Sequence, residues 1–147
     1  MMREIEFRGK STKDGTWVYG SYESFMQVLT DRETATIHVK MDWGLNHHVE
    51  VWDDTVGQYT GIKDKNGIKI YEGSIVKFVD LELAIKPTGV VCFDNAKFFV
   101  KDLEFSDGTY HIVDFYDYNI PNRDFEVIGN IHDNPELLDK DQSNEEE

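Results

Sequence analysis

Cysteine is almost missing from this sequence: one residue, Cys92, stands among 147. A single thiol closes no internal disulfide and builds no multi-cysteine zinc cluster within one chain, which fits a reducing, intracellular compartment. Long apolar runs are missing too. No stretch approaches the ~18 uncharged apolar residues that span a bilayer. The opening Met1-Met2-Arg3-Glu4-Ile5-Glu6-Phe7-Arg8 alternates charge with single apolar residues and lacks the apolar core of a secretion signal. The expectation is a cytoplasmic protein without a membrane segment. Basic residues are in short supply: 15 Lys and Arg face 29 Asp and Glu, a formal charge of −14. That balance disfavours a broad electrostatic grip on nucleic acid or on an anionic membrane, and a sequence-specific DNA reader would need a local basic patch.

Aromatic residues, by contrast, are plentiful. Nine Phe, seven Tyr and three Trp, within a hydrophobic share of 39%, supply ample material for a packed interior and exclude global disorder. The length suits one ordinary domain or two very small ones sharing a core. Acid is concentrated late: residues 1–79 hold 10 basic and 12 acidic side chains, residues 80–147 hold 5 and 17. The first half is nearly balanced.

The dominant hydrophobic period is two, with short Val, Ile, Thr and aromatic runs between Gly, Asn and Asp, so the chain reads as mainly β with short antiparallel strands and tight hairpins. Asp14-Gly15 offers a turn between Ile5–Arg8 and Trp17–Tyr19, and a two-residue loop there sets Phe7 opposite Tyr22. Thr34–Lys40 and His48–Trp52 read as strands joined through the Gly44–His47 region, and Ser24–Leu29 reads as a further strand in preference to the alternative of one or two helical turns. Asn66-Gly67, between Ile62–Lys65 and Ile68–Tyr71, gives the clearest hairpin signal, with both central residues at positive φ and position 64 paired with 69. Gly73 permits a corner before Ser74–Val79. Gly89–Phe93 and Lys97–Val100 pair about Asp94-Asn95-Ala96. A two-residue turn at Asp107-Gly108 sets Phe105 against Tyr110 and Leu103 against Ile112. Phe125–Ile131 is the last strand, Pro135 starts a short helical turn, and Asp139–Glu147, with five acids and one Lys, is a solvated tail. The expected organisation is a β-rich segment over 1–60, a small curled sheet or SH3-like β-barrel over 61–138, and an acidic disordered tail over 139–147, with the seam at Gly57–Gly61.

Candidate chemistry is thin. His47 and His48 are adjacent, so on a strand they point to opposite faces and join on one ion only from a loop; His38, His111 and His132 are scattered. Asp53-Asp54 and the Asp114/Asp117 pair are the available carboxylate pairs, but a spacing of three on a strand sends Asp114 and Asp117 to opposite sides. Asp114, Tyr116 and Tyr118 share one face, a groove lining or, more simply, a wet edge strand bearing protective charges. Cys92, between Val91 and Phe93, reads as a small core residue because nothing near it in sequence lowers its pKa. Gly61 to Gly67 and Gly67 to Gly73 each enclose five residues rather than the four of a P-loop, and Ser74 follows Gly73 where a P-loop has Lys. No catalytic, cofactor-binding or metal-ligating residue is assigned, and no reaction is indicated. The acidic second half raises mimicry of the DNA phosphate array, against which stands ordinary solubility. Lys63, Lys65, Lys69 and Lys77 form the alternative, a local basic surface.

The segment Gln58-Tyr59-Thr60-Gly61-Ile62-Lys63-Asp64-Lys65-Asn66-Gly67-Ile68-Lys69-Ile70-Tyr71-Glu72-Gly73-Ser74-Ile75-Val76-Lys77 closely resembles the YopX family of bacteriophage and prophage proteins. Ile5–Gly9 with Trp17–Gly20, and Phe125–Ile131 with Asp133–Leu138, are similar to that family's ends. One departure is Ser74, where the family usually carries Asp; a Ser caps a turn more weakly and without charge. The resemblance implies a β-rich phage protein in the cytoplasm of an infected or lysogenic bacterium and brings no biochemical activity with it. The leading expectation is a non-enzymatic accessory protein that binds a host or phage protein or associates with itself. The alternatives are a modulator of nucleic-acid transactions, as acidic mimic or weak binder, and, more remotely, an enzyme on a small metabolite.

Overall fold

Eleven strands and two 3-10 turns form from these runs in the computed structural model, which describes residues 4–23, 32–40, 46–79, 86–104, 110–115 and 125–142. Every strand pairing recorded between them is antiparallel, so the mainly β reading holds. The chain divides into two compact units, Met1–Gly61 and Ile62–Glu147.

The first unit orders its strands β4-β3-β2-β1-β5, with β1 Phe7–Lys10, β2 Trp17–Glu23, β3 Thr34–Lys40, β4 Asn46–Trp52 and β5 Gly57–Lys63, the last running on past the end of the unit. Alternation puts Phe7, Val18, Tyr22, Val39 and Val49 around a buried centre of Ala35, Ile37 and Val51. The sheet curls until Ser11, just beyond β1, bridges Val51 on β4, and Thr12 N–H donates to Glu50 O at 3.1 Å. Two glycines make that curl possible. A Cβ on Gly20 would lie 2.1 Å from the His38 carbonyl oxygen, and one on Gly9 would lie 2.9 Å from Val51 Cγ2. The 3-10 turn Asp53–Thr55 then sits against β1, Thr55 Oγ1 accepting Lys10 N–H at 2.8 Å and donating to Trp52 O at 2.6 Å.

The first hairpin departs from its expected register. Phe7 faces Gly20, not Tyr22, because Ser11 and Thr16 close a four-residue loop in which Gly15 N–H reaches Ser11 O at 2.9 Å. Asp14 Oδ1 accepts both Thr16 N–H and Thr16 Oγ1, which stabilises the longer turn. Phe7 and Tyr22 still touch diagonally, ring centroids 5.3 Å apart.

The second unit carries β6 Lys69–Tyr71, which follows β5 in hydrogen-bonding order, and the strands β7 Ser74–Lys77, β8 Thr88–Asp94, β9 Lys97–Glu104, β10 Tyr110–Asp114 and β11 Glu126–Asn130. β7 to β11 form a five-stranded sheet in the order β10-β9-β8-β7-β11. This sheet is open, so of the two forms expected the SH3-like barrel is not the one adopted: β10 and β11 are its edges, and among the described residues no pairing joins them. Its core is Ile70, Val76, Phe78, Val91, Val100, Val113 and Phe125, with Ile62, Phe115 and Val127 against it. Phe125 lies 5.5 Å from Phe78 and 5.0 Å from Phe115, centroid to centroid.

Turn chemistry is exchanged between two hairpins. At Asn66-Gly67 only Gly67 has positive φ, and Asp64 N–H donates to Ile68 O at 2.7 Å while Gly67 N–H donates to Asp64 O at 3.0 Å. Position 64 therefore opposes 68, not 69, around a three-residue loop ending in a left-handed glycine. The two-residue turn with both central residues at positive φ occurs instead at Asn95 (51°) and Ala96 (62°), between paired Asp94 and Lys97. Tyr110 pairs with Glu104 rather than with Phe105, and a bulge between Tyr110 and Ile112 then shifts the β9–β10 ladder once more, setting Ile112 against Lys101 rather than Leu103. The Asp107-Gly108 turn, the Ser24–Leu29 strand, Asp117, Tyr116, Tyr118 and residues 41–45 lie outside the described residues. β4 begins at Asn46, so His47 belongs to the strand and not to its preceding loop. The final 3-10 turn runs Pro135–Gln142, past Leu138 into the stretch read as tail.

Candidate functional site

The histidines go where strand geometry sends them. His47 pairs with Val39 and His48 with His38, so the neighbours face opposite ways. His38 Nε2 contacts Glu23 Oε2, and its ring packs edge-on against His48 at 4.2 Å. Among the described residues no three His, Cys, Asp or Glu side chains gather closely enough to hold a metal ion. Asp53 Oδ1 accepts the Tyr22 hydroxyl at 2.8 Å, and Asp54 takes a two-pronged grip from Arg32 at 2.8 and 2.9 Å while that guanidinium stacks over Trp52. The two adjacent aspartates thus serve different partners and form no acid/base pair. Asp114 is bonded to Lys97 at 3.0 Å. Cys92 is half-buried, and burial pushes its thiol above the ordinary value, which suppresses the nucleophilic thiolate.

The segment 58–77 is architecture. Asp64, 7% exposed, accepts Asn66 N–H (2.8 Å) and Ile68 N–H (2.9 Å) on one oxygen and Val127 N–H (2.9 Å) on the other. Burial raises its pKa, but the bonds from Val127, Ile68 and Asn66 outweigh that and hold the carboxyl below its ordinary value. One side chain therefore closes its own hairpin and docks the last strand, 63 residues away. Ser74, 1% exposed, accepts Tyr71 N–H at 3.1 Å and caps the corner at Gly73, whose carbonyl takes Ile131 N–H at 3.0 Å. Asn130 Oδ1 receives His132 and Asp133 N–H at 3.0 and 2.9 Å, and its amide donates to Asp133 Oδ2. Gly129 leaves room beside it for Asn134, since a Cβ there would fall 2.5 Å from Asn134 Oδ1.

Two concavities and one half-buried pair stand outside this framework. In the first unit a recess of about 330 Å³ lies between the turn after β1 and the start of β4, edged by Lys13, Asp14, His47 and Glu50. Its acids are engaged: Glu50 Oε1 accepts Thr12 Oγ1 at 2.8 Å, and the bonds from Thr16 hold Asp14 below its ordinary pKa. In the second unit the Asp102 carboxylate, 1% exposed, contacts His111 Nδ1 through both oxygens at 2.8 and 2.9 Å. Sequence reading passed over this pair because the partners sit nine residues apart across a bulged hairpin.

The second concavity, of about 240 Å³, is walled by Lys65, Lys77, Lys86, Glu126, Phe78 and Val79. Register creates it: Lys77 pairs with Thr88 on one side and with Glu126 on the other, which brings Lys86 and the Lys65 loop around one point. Of the basic surface expected from sequence, Lys65 and Lys77 contribute and Lys63 and Lys69 are not in the wall. Lys86 was missed, and only the β7–β8 pairing would have found it. The single acid, Glu126, reaches Lys65 at 3.4 Å.

A family model described as YopX protein matches residues 6–139. The chain belongs to the YopX family. A crystal structure of protein EF1440 from Enterococcus faecalis shares the YopX chain's fold with a TM-score of 0.52 and 23% sequence identity, covering 93% of this chain and 99% of that one. No curated protein matches it. In this YopX protein Asp64, Gly73 and Asn130, from the segments that carried the resemblance, fasten turns and the last strand, and Ser74, the departure from the family pattern, still caps the corner at Gly73. No described helix is long and apolar enough to cross a membrane.

Proposed function

We propose that this protein is a non-enzymatic accessory protein of bacteriophage or prophage origin, acting in the bacterial cytoplasm by joining protein surfaces, in the first instance a second copy of itself through β10. The observation that supports this is the β10 edge. Among the described strands β10 pairs only with β9, and its outward Ile112 is 53% exposed beside half-buried Phe99 and Cys92. An unpaired edge bearing an apolar side chain is a template for strand addition. Its local charge is mixed, with Lys97, Lys101 and Asp114 around the apolar residues, so two copies meet there without the repulsion that a chain of charge −14 meets elsewhere. Light scattering on size-exclusion fractions tests the reading: a dimer at tens of micromolar that Ile112→Lys converts to monomer supports it. A wild-type chain that stays monomeric through that range sinks it.

A second reading, action on nucleic-acid transactions, draws on the 17 acids against 5 basic residues after position 79. Competition with DNA for a DNA-binding host protein supports the mimic; direct, salt-weakened DNA binding supports the binder.

A further inference from the structure

We infer that the cavity walled by Lys65, Lys77 and Lys86 is a binding site for a small phosphate-bearing ligand. The inference stands apart from the β10 reading. Three lysines from three different segments, the loop after β5, the end of β7 and the residues before β8, line about 240 Å³ with one glutamate among them. In a chain with nearly two acids for every base, the described wall of this cavity carries three cations to one anion. Among the described residues neither Lys77 nor Lys86 forms an ion pair, while Lys65 holds Glu126 at only 3.4 Å. Three like charges sharing one carboxylate repel one another, and a multivalent anion relieves that repulsion. Lysine binds phosphate as a point charge, which suits a ligand held by charge and volume rather than by a planar two-pronged fit.

The frame around the cavity is well fixed. Lys65 follows Asp64, whose carboxylate is bonded to Val127, and Lys65 N–H itself donates to Phe125 O at 3.0 Å. Glu126 lies between those two anchor points on β11 and opposite Lys77. Phe78, fully buried, closes the back of the wall. The volume falls below that of drug-sized pockets, roughly 300 Å³ and upward, so it takes a phosphate or diphosphate moiety and leaves the rest of a larger ligand outside.

Glu126 supplies a diagnostic of opposite sign, because the bound anion competes with it for Lys65. Isothermal titration of the intact chain with pyrophosphate at low salt is the test. Saturable one-site binding is expected, weakened about tenfold by Lys77→Gln and by Lys86→Gln, and tightened about threefold by Glu126→Gln. Lys63→Gln, on β5 and outside the wall, leaves it unchanged. Circular dichroism confirms that each variant is folded, which separates lost binding from lost structure. Absence of saturable binding, equal losses in the Lys63→Gln control, or no gain from Glu126→Gln overturns the proposal. So does lysine-dependent binding of duplex DNA with no binding of pyrophosphate, which assigns the surface to a nucleic-acid backbone.

Discussion

The two units reach stability by different means. The first bends its sheet back on itself until Ser11 meets Val51, and what permits this is the lack of a side chain at Gly9 and Gly20. The second keeps an open sheet and fastens its ends with buried polar caps, Asp64, Ser74 and Asn130. Among the described residues, seven buried hydrophobic side chains cluster in the second unit and three in the first. A curled sheet closes by steric permission, whereas an open one needs its last strand tied to the rest by specific acceptors.

Experiments that break either device sharpen the contrast. The largest effect is expected from Gly20→Ala, whose added Cβ meets backbone rather than a movable side chain. It should cost the first unit about 3 to 4 kcal/mol. All three tryptophans, at 17, 43 and 52, lie in that unit, so the loss reads out as a lower urea midpoint by tryptophan fluorescence. Asp64→Ala strikes the second unit, leaving three backbone donors without their acceptor, at about 3 kcal/mol. Amide exchange should rise first along β11 and the 64–68 loop.

The same aspartate gives a pH prediction. Its carboxyl is held below the ordinary value in the folded chain, so its stabilising effect is complete at neutral pH. That effect drains away as pH falls through the ordinary value toward the folded one. Asp64→Asn should flatten that part of the acid limb in thermal unfolding followed at stepped pH. Next in size comes Gly129→Ala, at about 2 kcal/mol, because the Asn134 side chain must move to admit the methyl group. Smallest, and opposite in sign, is Ala96→Gly. Ala96 occupies a left-handed conformation at φ 62°, and removing its Cβ should stabilise the second unit by about 1 kcal/mol, seen as a raised melting temperature.

Much of the local structure was legible. Period-two runs located β3 to the residue, β4, β7 and β8 to within two residues, and the start of β9, which runs four residues further than expected, since alternation is a property of the strand itself. Hairpin registers were less legible. Whether Asn66-Gly67 closes a two- or three-residue loop depended on Asp64 folding its carboxylate back over the turn, an event that dipeptide preference does not encode. The same holds for Thr12–Gly15, lengthened by Asp14 and by the bridge beyond it. Of the four lysines read as a local basic surface two line the cavity, and Lys86 escaped notice because its neighbours in space come from strand pairing rather than from spacing.

The sequence by itself determined that the chain is β, where its strands run, that no disulfide crosses it, and that its acid lies late. These follow from side-chain chemistry and backbone preference acting over a few residues at a time. Only the tertiary structure decided which half would curl, which carboxylate would be buried, and which lysines would meet. Those outcomes are set by contacts between segments as far apart as Asp64 and Val127, whose energies exist only once the strands are side by side.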